Sequence, residues 1–307
     1  MSAEAPARHA VPYFPSREGH IPQGHAFLLA RDIPLGIVPI RGSRDRPSFN
    51  VELSPAAAGD REAWLRHFLY IGQYEHDSLE DVVVDFVDTA ANYIGYHGDV
   101  CMEILVDNEE QPLRLDPLPP GRVVAAPWGY LQVISKRDRT ELDVRPLVRV
   151  PRDRLWRLAL PRDLGGVWRY RRLIRRLESL SDSMPEFALG SLDLGRASGF
   201  EFTAYRDACD RLQERATKRW GTVPSIQRPI GTSTEYFFIA RRLAFLRAQA
   251  RLREHTIAEL NRLLARIDVP HSIEVSGIPT SDDIAATLER LHRGDITFAE
   301  ALDATRI

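Results

Sequence analysis

Arginine supplies nearly all of the positive charge in this chain, since Lys136 and Lys218 are its only lysines. A guanidinium makes planar, paired contacts to carboxylates and phosphates that an ammonium does not. A compositional bias of GC-rich coding DNA would give the same preference. The densest run is Arg145, Arg149, Arg152, Arg154, Arg157 and Arg162, flowing into Arg169, Arg171, Arg172, Arg175 and Arg176. Only Asp153 and Asp163 interrupt it. Such a cluster suits a solvated face, salt bridges between subunits, or loose contact with DNA phosphates or an acidic partner. The whole chain has a formal net charge of -2, so any attraction for nucleic acid is local rather than global.

Other residue types offer less chemistry. His97 and Cys101 straddle a helix end and a strand start, so they do not share a helical face. Glu254-His255-Thr256-Ile257-Ala258-Glu259 does not match a zinc-protease motif. Neither cysteine, Cys101 or Cys209, sits in an activating context, and no Gly-x-Ser-x-Gly elbow is present. Gly95, Gly98 and Asp99 lack the strand-then-helix setting of a dinucleotide loop. Of the paired carboxylates, Asp282-Asp283 marks a helix start and Glu109-Glu110 a solvated turn; neither these nor Asp81-Asp85 suggests acid–base work. No metal and no cofactor are expected.

The elements that position these residues follow from periodicity. At 307 residues, 44% hydrophobic and 27% charged, the chain has the composition of a globular protein with room for one or two cores. Two distant cysteines fit a reducing compartment, no apolar run reaches membrane-spanning length, and Met1 to Arg17 lacks the apolar core of a secretory signal. Residues 1–58 carry eight scattered prolines and read as an extended arm, with an edge strand at Leu35 to Ile40. Residues 59–166 read as a helix pair plus a β-rich module. The helices are Asp60 to Ile71 and Asp77 to Tyr96, the second opened by an Asp77/Glu80 capping box. Short strands are expected at 100–106, 113–118, 122–126, 130–134 and 155–160.

Residues 167–271 read as helical, with helices at Trp168 to Leu180 and Thr203 to Trp220, a long loop from Gly221 to Ser233 and a helix from Thr234 to Ile267. That last helix would run about 50 Å, opened by Thr232 and Glu235, with Arg253 breaking its apolar seam. Arg247, Arg251 and Arg262 share a flank with Glu254, a mixture of charges typical of helix or subunit contacts. Residues 272–307 add a strand at Ser272 to Gly277 and two helices hinged at Gly294, the last opened by a Thr297/Glu300 capping box. The expected class is α+β, an irregular β-rich module flanked by helices.

The order of several stretches resembles the portal proteins of tailed bacteriophages. They are the helix, glycine turn and strand of Ala91 to Leu105, the Leu115-Asp116-Pro117-Leu118-Pro119-Pro120 run, and the strand, Gly-Gly turn and helix of Trp156 to Trp168. The closing part is similar too, in Ile273-Glu274-Val275, Asp282-Asp283 and Gly294-Asp295-Ile296-Thr297-Phe298-Ala299-Glu300. The likeness spans roughly residues 77–304 and rests on order and spacing. The chain is short for that family, which implies a reduced wing, stem or clip.

On that resemblance residues 59–166 would be wing-like, 184–202 a remnant clip and 227–233 a tunnel loop. Arg228, Arg241, Arg242 and Arg247 would face a DNA channel. The implied function is a ring-shaped DNA channel, usually of twelve subunits, at one capsid vertex of the virion, for genome packaging and ejection, assembled in the host cytoplasm. The implied partners are further copies of itself, double-stranded DNA held without sequence preference, a terminase motor, and capsid and neck proteins. No membrane is involved and no enzymatic activity is expected. The alternatives are an interaction or adaptor protein without a channel and, less favoured, an enzyme on an α+β scaffold.

Overall fold

The helices and strands follow one another as α1 (Gly24–Asp32), β1 (Asn50–Ser54), α2 (Gly59–Leu69), α3 (Leu79–His97), β2 (Asp99–Val106), β3 (Pro112–Pro117), β4 (Val123–Ala126) and β5 (Gly129–Val133). Then come β6 (Leu147–Val150), β7 (Leu155–Ala159), α4 (Gly166–Asp182), α5 (Glu235–Arg266), β8 (Ser272–Ser276), α6 (Ser281–Arg293) and α7 (Phe298–Asp303). This computed structural model describes residues 9–11, 22–39, 49–56, 59–71, 76–107, 109–119, 121–136, 139, 145–182, 214–221 and 235–305. The class is α+β, with helices packed around small antiparallel sheets.

The change of period at Gly98 organises the centre. Helix α3 buries Val83, Phe86, Val87, Ala90 and Ile94 on one face and ends at Gly98, whose φ of 83° is left-handed and suits glycine. Its start differs from the expected Asp77/Glu80 box: Ser78 is the cap, its hydroxyl accepting the Asp81 N–H at 3.1 Å. A serine hydroxyl one position further on reaches that N–H directly.

Strand β2 is buried along its whole length and is paired on both sides, in the order β3-β2-β7. Alternation sends Val100, Met102 and Ile104 into the main core, whereas Cys101 joins a second cluster with Leu118, Val150 and Leu155. Val123 and Tyr130 of the β4-β5-β6 sheet pack on that second cluster. Strand β6 is absent from the sequence expectation, because Leu147-Val148-Arg149-Val150 lies between prolines that read as punctuation.

The arm is not extended throughout. Between Pro22 and Pro34 the chain has no proline, and Gly24–Asp32 there forms a helix. Ala26, Leu29, Ala30 and Ile33 are fully buried, and α1 packs on α3 and α4. The approach to α3 is close enough that a Cβ at Gly95 would lie 2.5 Å from the Ala30 carbonyl oxygen. Residues 33–37 are turns rather than the expected edge strand. They are held by α5: Gln249 Nε2 donates to the carbonyls of Ile33 (3.0 Å) and Leu35 (2.6 Å). Arg253, the break in the apolar seam, is buried and donates to the carbonyls of Ile37 and Pro279. Burial pulls its pKa down to about 10 despite the nearby Glu254, and at neutral pH it stays charged.

Helix α6 packs along α5 through Ile284 and Leu291 against Ile239, Leu243 and Ala250. Both closing helices have reciprocal caps, Thr280 with Asp283 and Thr297 with Glu300. Strand β8 pairs antiparallel with β1, placing Glu52 opposite Glu274.

Candidate nucleic-acid interface

Helix α4 opens at the Gly165-Gly166 turn, both residues at positive φ, and buries one side. Tyr170, Leu173, Ile174 and Leu177 are buried. The Tyr170 hydroxyl donates to the Gly95 carbonyl, and complete burial raises its pKa well above the usual phenol range. At 100° per residue the opposite side presents Trp168, Arg169, Arg172, Arg175 and Arg176. Trp168 is 81% exposed and the four arginines are exposed beside it. Guanidiniums next to an exposed indole can meet phosphates and stack on bases or planar cations.

Arg171 has a different role from its neighbours in the cluster. Its Nη2 donates to Asp99 Oδ1 at 2.9 Å and its Nε to the His97 carbonyl at 3.0 Å. Arg157 grips the other oxygen, Oδ2, at 3.1 and 2.6 Å. The Asp99 side chain is 5% exposed, so this clamp ties the start of β2 to β7 and α4. Burial lowers the Arg157 pKa, but the Asp99 carboxylate outweighs it and holds the guanidinium above its ordinary value. Burial, with Asp99 nearby, pushes the Cys101 thiol up to about 12, which makes it unreactive at neutral pH.

The arginines of α5 divide in the same way. Arg241 pairs with Glu214 at 2.7 Å and lies over the Phe237 ring; burial lowers its pKa in spite of that carboxylate. It therefore takes part in the packing between α5 and the 214–217 helical turn. Arg242 and Arg247 are exposed. Arg228 lies outside the described residues, as do the 184–202 and 227–233 segments and residues 203–213 of the helix expected to end at Trp220.

Arg247 lines a cavity of about 640 Å³ with Lys218, Arg219 and Arg251, alongside Asp163, Glu254 and Asp282. Two of these acids are occupied. Asp163 accepts from Arg251 Nε at 2.8 Å; burial raises its pKa, but that ion pair and backbone N–H donors together hold it below the usual value. Glu254 accepts both the N–H and the hydroxyl of Ser281 at 2.6 Å. Among the described residues no ion pair engages Lys218, Arg219 or Arg247. Gly221 allows this corner to close: its φ is 71°, and a Cβ there would sit 2.6 Å from the Phe245 nitrogen.

The cavity and the α4 face meet at Gly165, where an added Cβ would be 3.6 Å from Arg169 Cβ and 3.9 Å from Arg219 Nη1. The result is one basic surface built from α4, the 218–219 turn and α5. The sequence pointed to Arg169, Arg172, Arg175, Arg176 and Arg247. It did not single out Trp168, which shares the exposed α4 face by helical phase, or Lys218 and Arg219, which join only because the 214–221 turn folds back onto α5.

The described residues of this surface carry the charge to hold an anion. Among the described residues, no group of three or more His, Cys, Asp or Glu is placed to hold a metal ion. No described helix is long and apolar enough to cross a membrane. No protein-family model matches the chain, and no curated protein is detectably similar to it.

Proposed function

We propose that the chain is a portal-like structural protein, assembling into a ring whose basic surface lines a passage for double-stranded DNA. The observation that carries this reading is the continuous run of Arg176, Arg172, Arg169, Arg219, Lys218 and Arg247. Its cations are exposed, and two of the three acids beside them, Asp163 and Glu254, are engaged elsewhere. Contacts of this kind are sequence-independent and labile in salt, as a sliding duplex requires. The order α3, β2, β-rich module, α4, α5, β8, α6, α7 supports the same reading, since it follows the order of the resemblance. Helix α5 has 32 residues, about 48 Å, a length suited to a ring wall.

Negative-stain electron microscopy across a concentration range tests the ring. Rings with a hole wide enough for duplex DNA are the expected outcome, and uniform small particles at every concentration would overturn it. A second reading, an adaptor without a channel, draws on the outward face of the β4-β5-β6 sheet. There Val124, Trp128, Val133 and Leu147 are exposed, an apolar patch of the kind that meets partners. Under that reading the same grids show monomers or small dimers.

A further inference from the structure

A short N-terminal strap lies between the two three-stranded sheets. Glu103, in β2 and fully buried, accepts the backbone N–H groups of His9 at 2.6 Å and Ala10 at 3.0 Å on Oε1. Gln132, equally buried in β5, exchanges two hydrogen bonds with Val11. Its Oε1 accepts from Val11 N and its Nε2 donates to Val11 O, both at 2.8 Å. This reproduces the paired bonding of antiparallel strands, with a side-chain amide in place of one backbone. Between these anchors Ala10 is 4% exposed and packs with Cys101, Leu118, Val150 and Leu155.

A carboxylate and an amide buried this deeply are costly unless hydrogen-bonded, and the strap's main chain supplies donors to both. The cleft reads backbone plus one small side chain, because His9 is exposed and Val11 only half-buried. Recognition of that type is how peptides add to sheets. None of these bonds depends on the strap belonging to the same molecule. An identical arm from a neighbouring copy would make every one of them, so exchange between copies costs little. The eleven residue steps from Val11 to Pro22 span up to roughly 38 Å when extended, enough to cross a subunit boundary.

We propose that the cleft between β2 and β5 is a peptide-docking site whose partner is the N-terminal arm of a second copy of this chain. The identity of the donor rests on the self-assembly proposed above; the cleft itself does not.

Two full-length variants separate the roles. Ala10→Asp expels the strap and leaves the cleft open, whereas Gln132→Leu keeps a competent arm and disables the cleft at near-equal volume. The probe is a fluorescent peptide of residues 5–14. Its expected behaviour is saturable binding to the Ala10→Asp chain, at least tenfold weaker binding to the unaltered chain, whose own strap competes, and loss of binding when Gln132→Leu is added. Absence of saturable binding to Ala10→Asp overturns the docking site. Should that variant fail to fold, Val11→Pro, which removes the N–H donated to Gln132 and also fixes the backbone of the strap at that position, takes its place.

Mixing the Ala10→Asp and Gln132→Leu chains then identifies the donor by light scattering. The expected result is a mixed assembly at concentrations tenfold below those at which either chain associates alone. Peptide binding without that assembly overturns arm exchange and leaves the strap intramolecular. Rings formed by the unaltered chain and, equally, by both variants would also overturn exchange while leaving the ring itself standing.

Discussion

At the scale of single residues, the Asp99 clamp distinguishes structural arginines from available ones. One buried carboxylate takes Arg157 and Arg171 together, so Asp99→Asn leaves two guanidiniums facing an amide in a partly dry site. Breaking such a group costs about 3 kcal/mol, readable as a fall in denaturation midpoint. Arg171→Ala should lose part of that stability, whereas Arg172→Ala, one residue on and exposed, should leave the midpoint within about 0.5 kcal/mol. The two neighbours are indistinguishable by residue type. Only the helical phase, fixed by Tyr170, Leu173, Ile174 and Leu177, separates them.

Among elements, α6 and α7 make the clearest pH prediction. The Thr280 hydroxyl and then its N–H hydrogen-bond the Asp283 carboxylate and lower its pKa below the usual value, with burial opposing weakly. Thr297 does the same for Glu300. A carboxylate whose folded pKa is depressed stabilises fully above its unfolded value, about 4, and that stability is lost as pH falls toward the folded value. Far-ultraviolet circular dichroism between about pH 5 and pH 2.5 should therefore show helix loss that Asp283→Asn and Glu300→Gln remove from the titration. Thr280→Ala should cost about 1 kcal/mol at neutral pH.

The capping box at Thr297 was legible in the sequence because its partners are three residues apart, as were α2, α3 and α5 from their apolar stripes and α4 from the basic run that follows Gly165-Gly166. Helix α1 and strand β6 were not, because prolines dominated their surroundings and long-range packing decided the outcome. The basic surface was half legible for a related reason. Its α4 part is local in sequence, but Lys218 and Arg219 reach it through a turn fixed by Gly221 and Trp220, which is buried beside Tyr170.

For the whole molecule, binding to duplex DNA is the quantity that joins these parts. Fluorescence anisotropy with a random-sequence duplex should give weak binding that falls steeply with salt and does not depend on sequence. Reversing Arg172, Arg175 and Arg176 to glutamate should flatten the log–log salt slope by about 0.9 for each phosphate that the surface ceases to neutralise. Reversing Lys218, Arg219 and Arg247 should do the same if both halves act as one surface. Arg241→Glu should instead destabilise the fold, because Arg241 is engaged with Glu214. A slope unchanged by either triple variant would remove DNA as a partner.

The pairing of β1 with β8 also has a consequence for biosynthesis. Ser272 and the Ser54 carbonyl that it bonds are 218 residues apart, and Val51 and Leu53 pack on the main core beside Ile273 and Val275. On the ribosome, at about 5–20 residues per second, β1 emerges roughly 10 to 45 s before its partner. Throughout that interval the edge that pairs with β8 is bare. A nascent chain of this kind is a client for a holdase, and a message truncated before β8 should yield an aggregating product rather than a smaller folded one.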